Sequence, residues 1–514
     1  VLTFIEQIKA ARRVSVPFLT VITSDQNATI LNIGRALHAA VPMLSWDIVR
    51  GITPLNTAAQ SYLETFEQDP AMMTNPVEVL NKAALLSSFN DDANEHGYGK
   101  GQPIGPILFM HNLHLFLNPD SRIDESARIS ILQGILNLRD LYKENRRTLI
   151  ILAPQMVMPQ ELGDMIVLDE PLPDKQQLAA VITDIYKQTG VKEPDEKTRA
   201  MEIEAVMGTP STFLAEQISA MCITKNGLNL GDLRQRKRKQ VEQTKGCSMW
   251  SGDEIEIAGN EQFLTFMDRY LVGPDRPGAM ILLDEIGDSM AGNAGDNTGV
   301  SQDIHKAILT FMEDNKVPGI MEVGVPGVGK THGPKALANK HNIPLILADI
   351  GAMKEGEVGR SEGNVRAFLK LALAVSGGKL LAIGTTNSTA NLSPQLMSRF
   401  RYTFMFDIPG DAGRKQAWKI YIKEFGLTPK QTKEMPDDKN WTPREIRNCC
   451  ESARALEYTL KQAAEFVCPV YRSGAVAIAK LRAEAHGRYL SDSKPGFYEQ
   501  PKVELRPGGR AIAN

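Results

Sequence analysis

Short, almost unbroken apolar runs recur through the first third of the chain: Phe18–Ile22, Ile107–Met110, Thr148–Leu152 and Met165–Leu168. Their length and composition predict strands buried on both faces. Apolar residues at helical spacing lie between them, as in Ala127–Tyr142. Strands alternating with helices predict an α/β fold over residues 1–174, a parallel sheet covered on both sides. Helical patterns continue from Lys175 to Cys222 and predict a small lid over 175–226. Residues 227–254 read as a helical linker. Within it Gly231–Gly246 is polar and basic, carrying Arg234, Arg236, Lys237, Arg238 and Lys239. That run reads first as a solvated helix face and second as a nucleic-acid contact. A second series of apolar runs, Ala279–Leu283, Ile320–Val323, Pro344–Ala348, Leu380–Ile383 and Thr403–Phe406, marks another α/β domain over 255–408. A helical region follows over 409–490. Residues 491–514, rich in proline, glycine and charge, read as an extended tail.

Bulk properties narrow the picture. A chain of 514 residues exceeds one ordinary core. A formal net charge of -3 gives no global pull toward nucleic acid or an anionic membrane. Cys222, Cys247, Cys449, Cys450 and Cys468 show no C-x-x-C spacing, which predicts reduced thiols in a cytoplasmic protein. No apolar run approaches the roughly 20 residues that span a bilayer, so no membrane partner is expected. The chain begins at Val1 rather than Met and shows no basic-then-apolar signal pattern.

The most specific chemistry lies in the second α/β region. Gly324-Val-Pro-Gly-Val-Gly329-Lys330-Thr331 fits G-x-x-x-x-G-K-[ST] in full, after one apolar run and before a helical segment, Lys335–Lys340. Glycines let backbone N–H groups curl around phosphate oxygens, and the helix N-terminus adds partial positive charge. Lys330 is expected to reach the β- and γ-phosphates and Thr331 to ligate Mg²⁺. Gly324, Val325, Pro326, Gly327, Val328, Gly329, Lys330, Thr331 and the following His332 form the candidate nucleotide-binding set. The run Met280–Leu283 ends in Asp284-Glu285. Asp284 would hold the metal, and Glu285 would orient and polarise the attacking water. Asn387, in Thr385-Thr386-Asn387, could position that water. Arg399 and Arg401, in Ser398-Arg-Phe-Arg401, are surface residues or donors into a neighbouring subunit's site. Arg444, in Thr442-Pro-Arg-Glu-Ile446, is a surface charge or a γ-phosphate contact.

Together these motifs resemble an AAA+ ATPase module, and the chain is similar to a tandem AAA+ family. That family is known as a conserved reading frame of chloroplasts and cyanobacteria, with relatives in other bacteria and phages. The resemblance spans roughly Val1 to Tyr489. It draws also on Leu44-Ser-Trp46-Asp47-Ile-Val-Arg50-Gly51, Arg147–Gln155 with Leu172-Pro173, and the glycine-rich loop Ala291–Gly299. It implies two AAA+-type P-loop domains, the first degenerate and the second active, each followed by a helical lid. It assigns Asn387 as sensor one, Arg399 as arginine finger with Arg401 as second choice, and Arg444 as sensor two. Ile257, Ala258 and Gly259 would border the adenine. ATP and Mg²⁺ are the implied cofactors. In the first domain Ile107–Met110 runs into His111-Asn112, and Thr23–Ala28 has no Gly-Lys-Ser/Thr, so phosphate cradle and metal ligands are both missing.

One departure concerns chain order. In the family the phosphate loop precedes the acid pair; here Asp284-Glu285 come first. Moving Gly278–Asn315 to lie between Gly377 and Gly378 restores the family order without losing a residue. A permuted chain and a block exchange in the recorded order both fit, and the lossless exchange favours the second. In either case the same side chains converge at the carboxyl ends of the strands.

The expected function is an ATP-hydrolysing homo-oligomer, a closed ring such as a hexamer, because an arginine finger acts in a neighbour's site. Its client is a protein of unknown identity. Glu357 stands where peptide-threading relatives carry an aromatic residue, which weakens an unfoldase reading. A nucleotide-switched scaffold is the alternative. Nucleic-acid remodelling through Arg234–Lys239 is a third, weaker expectation.

Overall fold

A computed structural model describes residues 2–64, 69–86, 89–91, 102–118, 124–154, 158–252, 255–287, 300–353, 360–390 and 392–501. Gln155, the loop Ala291–Gly299, Glu357 and tail residues 502–514 lie outside them. The chain forms two compact units, Val1–Pro173 with Pro210–Gln217, and Asp174–Thr209 with Ile218–Asn514. The segment 175–226 expected as one lid is thus shared between the units.

The first unit holds a six-stranded sheet of β1 (Phe18–Ile22), β2 (Met43–Asp47), β3 (Gly51–Pro54), β4 (Ile107–His111), β5 (Thr148–Ala153) and β6 (Ile166–Asp169). Their spatial order is β3-β2-β4-β5-β1-β6, parallel except for the β2–β3 pair. Both faces are covered, which is why β5 reads as an unbroken apolar run. Leu149 and Ile151 pack with Ile131 and Ile135 of α3 (Glu125–Glu144). The alternate residues Ile150 and Leu152 pack with Ile8 of α1 (Phe4–Arg13) and Ile33 of α2 (Gln26–Ala36). Strand β2 escapes an apolar-run search because Ser45 and Asp47 interrupt it.

The second unit carries β7 (Cys247–Met249), β8 (Ala279–Leu283), β9 (Gly319–Gly324), β10 (Leu345–Ala348), β11 (Leu380–Thr386), β12 (Phe400–Phe406) and β13 (Leu490–Ser491). The order is β7-β10-β8-β11-β9-β12-β13, parallel except at the β7 edge. Helices α4 (Glu261–Val272) and α6 (His332–His341) cover one face, where Phe263, Met267 and Leu337 meet Met280, Leu282, Leu381 and Ile383. Helix α5 (Val300–Asp314) packs on both α7 (Arg360–Val375) and α8 (Pro394–Arg399), and α7 packs on β8. Helices α9 (Asp411–Glu424) and α10 (Pro443–Ala455) build a smaller cluster around Trp418, Trp441, Cys449 and Cys450.

The two sheets share a spatial plan with different chain orders. β2-β4-β5-β1-β6 corresponds to β10-β8-β11-β9-β12, so β1 matches the phosphate-loop strand β9 and β4 matches the acid-pair strand β8. The first unit visits its strands with β1 first; the second visits β8 before β9. All three junctions of the exchanged block precede strand starts, at β8, β9 and β11, and these strands are adjacent. The Gly278 amide donates to the Lys379 carbonyl at 2.8 Å, so two of the junctions touch. The links are short whichever way the chain runs.

Two local differences from expectation have plain causes. The basic helix Leu230–Val241 is not wholly solvated: Lys237 is 4% exposed and its ammonium donates to the Glu204 carbonyl at 3.0 Å, with burial lowering its pKa to about 8. The start of the expected tail is packed rather than extended. Tyr498 is buried and donates its hydroxyl to Asp407 Oδ2 at 2.6 Å, and Ser491 pairs with Met405 of β12.

A chain with residues 278–315 transplanted between Gly377 and Gly378 is expected to form the same sheet. Its far-ultraviolet circular dichroism should be unchanged, and its stability to urea should lie within about 1–2 kcal/mol of the parent. Loss of cooperative unfolding would show that connectivity, and not strand order alone, holds the unit.

Candidate functional site

Strand β9 delivers the chain to a tight loop that turns into α6. Gly327 and Gly329 have φ of +87° and +96°, left-handed values that glycine adopts without a Cβ clash. A Cβ on Gly327 would lie 2.9 Å from Arg444 Cβ and 3.0 Å from Thr442 Oγ1. The Arg444 amide donates to the Gly327 carbonyl at 3.2 Å, so the first turn of α10 rests on the loop.

Above the loop is a cleft of about 740 Å³. Its walls include Pro326 through His332, Asp284, Glu285, Thr385, Asn387, Arg444, Ile257 and Ala258. Gly324 and Val325 lie beneath it and contribute carbonyls instead. Gly259 sits beside the wall, its amide donating to Gln416 Oε1 at 3.2 Å. Ile420 and Tyr421 of α9 and Arg447 and Asn448 of α10 also line the cleft.

Lys330 is 7% exposed, and its ammonium donates to Gly324 O at 2.9 Å, Val325 O at 3.1 Å and Asn387 Oδ1 at 2.8 Å. Burial lowers its pKa to about 8, against the pull of Glu322 and Asp284. Thr331 Oγ1 donates to Asp284 Oδ1 at 3.0 Å, which brings the phosphate loop and the acid pair together. Glu285 has φ of +49°, unusual for a side chain of this kind. Such a conformation costs about 1–3 kcal/mol and is tolerated where surroundings enforce it. His332 has its pKa lowered by burial and by the nearby Lys335 and Arg444 charges.

Residues that fit a nucleotide and a metal are therefore present. Thr331 and Asp284 offer oxygen ligands side by side, which suits a hard cation. Asn260 Nδ2, a buried donor with no partner among the described residues, lies 3.9 Å from where a Gly329 Cβ would be. Arg399 and Arg401 lie outside the cleft. Arg399 pairs with Glu313 Oε2 at 2.9 Å, and the Arg401 guanidinium sits 5.7 Å from the Tyr402 ring centre.

Two residues outside the expected set belong to this site. Thr385 bridges the acids: its hydroxyl contacts Asp284 Oδ1 at 2.5 Å and the Glu285 amide at 2.9 Å. Glu322, an acid inside an apolar strand, is fully buried, and neither carboxyl oxygen has a hydrogen-bond partner among the described residues. Register places Glu322 beside Thr385, and Thr385 one step beyond the Leu283–Gly384 pair. Glu322, Thr385 and Asp284 thus form one row across β9, β11 and β8. Burial holds the Glu322 carboxyl well above the usual range, despite the opposing pull of Lys330.

The corresponding place in the first unit is built differently. Asp25 caps α2, its Oδ1 accepting the Ala28 amide at 3.0 Å, so a carboxylate takes the position where a phosphate would bind. His111 ends β4 and contacts Ser45 Oγ through Nε2 at 2.8 Å and Gln26 Oε1 through Nδ1 at 2.5 Å. Gln26 also donates to Asn112 Oδ1 at 2.7 Å. Asn112 has φ of +55°, matching the kink at Glu285. The backbone bend is common to both units; the acids and the cradle occur in one.

Comparison with known proteins agrees with this geometry. Residues 4–170 match the family described as SpoVK-like AAA ATPase, N-terminal domain. The chain is 21% identical over 431 residues to an uncharacterized AAA domain-containing protein ycf46 of Guillardia theta, covering 71% of this chain and 77% of the relative. It is 25% identical over 380 residues to the ycf46 protein of Gracilaria tenuistipitata var. liui, covering 63% and 67%. It is 22% identical over 402 residues to that of Trieres chinensis, covering 66% and 72%. With its parallel sheets, flanking helices and nucleotide-type cleft, the chain is an AAA-type ATPase. Within that class it is similar to the ycf46 proteins. Among the described residues no helix is long and apolar enough to cross a membrane.

Glu322→Gln keeps the shape of the side chain and removes its titration. Because burial raises the folded-state pKa above the ordinary 4.5, the parent's contribution from Glu322 is complete below that value and is lost as pH rises toward the folded one. The variant is expected to match the parent near pH 4.5 and to become increasingly more stable than it as pH rises toward neutral. Urea denaturation across that range measures the gap, and a gap independent of pH would show that Glu322 is charged and paired.

Proposed function

We propose that the second unit binds ATP with Mg²⁺ and hydrolyses it, within a homo-oligomer whose arginine finger is Arg399. The observation that carries this reading is the 3.0 Å contact between Thr331 and Asp284, because it joins the phosphate cradle to the acid pair. The Lys330 ammonium, held over the loop, turns toward phosphate oxygens. Thr331 and Asp284 hold the metal, which when bound draws charge from the phosphates. Glu285 orients water and receives its proton, Asn387 fixes the water's position, and water and ATP give ADP and phosphate. Arg444 reaches the γ-phosphate from the α10 side, and Ile257 and Ala258 border the base. Arg399, outside its own chain's cleft, serves a neighbouring subunit, which favours a closed ring such as a hexamer.

The first unit is read as a structural partner. Its helix N-terminus is capped by its own Asp25 and its strand ends are occupied by mutual side-chain contacts. One nucleotide per chain is expected, and Lys330→Ala should remove all binding in equilibrium titration; residual binding would locate a site in the first unit. A second reading, a nucleotide-switched scaffold with slow turnover, draws on the Arg399–Glu313 ion pair, which engages the finger within its own chain.

Steady-state ATP hydrolysis measured against protein concentration decides between them. Parent activity per chain should rise with concentration, and Glu285→Gln should lose about 10²–10⁴-fold in kcat while still binding nucleotide. Mixing Glu285→Gln with Arg399→Ala should recover part of the activity, since one supplies the finger and the other the intact site. Absence of recovery would overturn action in trans. A parent no faster than Glu285→Gln at every concentration would overturn hydrolysis and favour the switch.

A further inference from the structure

Thr385 is fully buried near the end of β11, between the strand of the acid pair and the strand of the phosphate loop. Its hydroxyl has one proton to give. A carboxylate can only accept and an amide N–H can only donate, so the direction of both bonds is settled by chemistry. Thr385 Oγ1 donates to Asp284 Oδ1 at 2.5 Å and accepts the Glu285 N–H at 2.9 Å.

The second bond has a structural origin. The β8–β11 ladder ends at the Leu283–Gly384 pair, and Glu285 then turns into a left-handed conformation. Its amide is carried off the ladder, and a buried amide without a partner is costly. The Thr385 hydroxyl supplies that partner, and a β-branched side chain holds its χ1 stiffly. A single oxygen therefore fixes the orientation of the Asp284 carboxylate and the direction in which Glu285 leaves the strand. The same strand end continues to Asn387, which accepts from Lys330.

We infer that Thr385 is a positioning residue for the acid pair, setting metal ligand and water-activating carboxylate relative to each other. This rests on the ATPase reading above, with Asp284 and Glu285 in the roles given there. Thr385 acts through the two acids. Its removal should therefore impair turnover and the response to Mg²⁺, and leave metal-free nucleotide binding nearly intact.

The test uses the full chain with Thr385→Val, which keeps the shape and loses the hydroxyl, and Thr385→Ser, which keeps the hydroxyl. The readouts are kcat, the Mg²⁺ concentration for half-maximal activity, and the Kd of a fluorescent ATP analogue with Mg²⁺ and with chelator. Thr385→Val should lower kcat by about 10- to 100-fold and raise the Mg²⁺ requirement, with Kd in chelator changed by less than about threefold. Thr385→Ser should return kcat to within about threefold of the parent. Parent-like kcat and Mg²⁺ response in Thr385→Val would overturn the inference, as would Thr385→Ser being equally impaired, since shape alone would then matter. If Thr385→Val does not fold, Thr385→Cys, with similar volume and a feeble donor, is read in its place. If the parent does not hydrolyse ATP, the hydrolysis reading fails separately. The Mg²⁺ dependence of nucleotide binding then decides the role of Thr385, a shift supporting it and no shift overturning it.

Discussion

The meeting of Thr331 with Asp284 governs the rest of the second unit. The two residues stand far apart along the chain, yet their side chains approach to 3.0 Å. That approach needs β8, β11 and β9 side by side, the loop after β9 folded back over the strand ends, and α6 starting where its N-terminus faces the cleft. Each requirement has its own physical support. The apolar faces of α4 and α6 press the helices onto the sheet, and the two left-handed glycines allow the fold-back. The first turn of α10 closes over the loop at Gly327.

Most of this was legible beforehand because it rests on local pattern. The strands Phe18–Ile22 and Ala279–Leu283 are apolar runs with sharp ends, and the phosphate loop and acid pair have characteristic spacing. What escaped has a common cause. Thr385 looks like one more strand residue until the register brings it opposite Asp284. Strand β2 was hidden by its polar residues, Ser45 serving the interior of the first unit and Asp47 the turn that follows. Glu322 was visible as an acid inside an apolar strand, an anomaly that signals a burial cost without saying what surrounds it. The packing of Tyr498 depends on Asp407, a contact between distant residues that no local window contains.

The two units make an internal comparison. Both place a left-handed residue just past the strand that lies two positions from the loop strand, Asn112 one residue beyond His111 and Glu285 two beyond Leu283. Asparagine suits that conformation; glutamate does not. In the first unit the bend is surrounded by mutually satisfied groups and serves architecture. In the second the bend holds an acid at the mouth of a cleft, at an energetic disadvantage that the Thr385 hydroxyl offsets.

The early position of β8 also shapes how the second unit is made. Its partners β10 and β11 both follow it in the chain, and the contact from Glu285 to Thr385 closes a loop of 100 residues. During synthesis this wholly apolar strand emerges well before either neighbour, and so does the helix after it. Its counterpart in the first unit, β4, finds β2 already made when it emerges. Long-range pairing slows folding and leaves apolar edges open to wrong partners. In this chain order the second unit therefore leaves an apolar strand without its neighbours for longer than the first does.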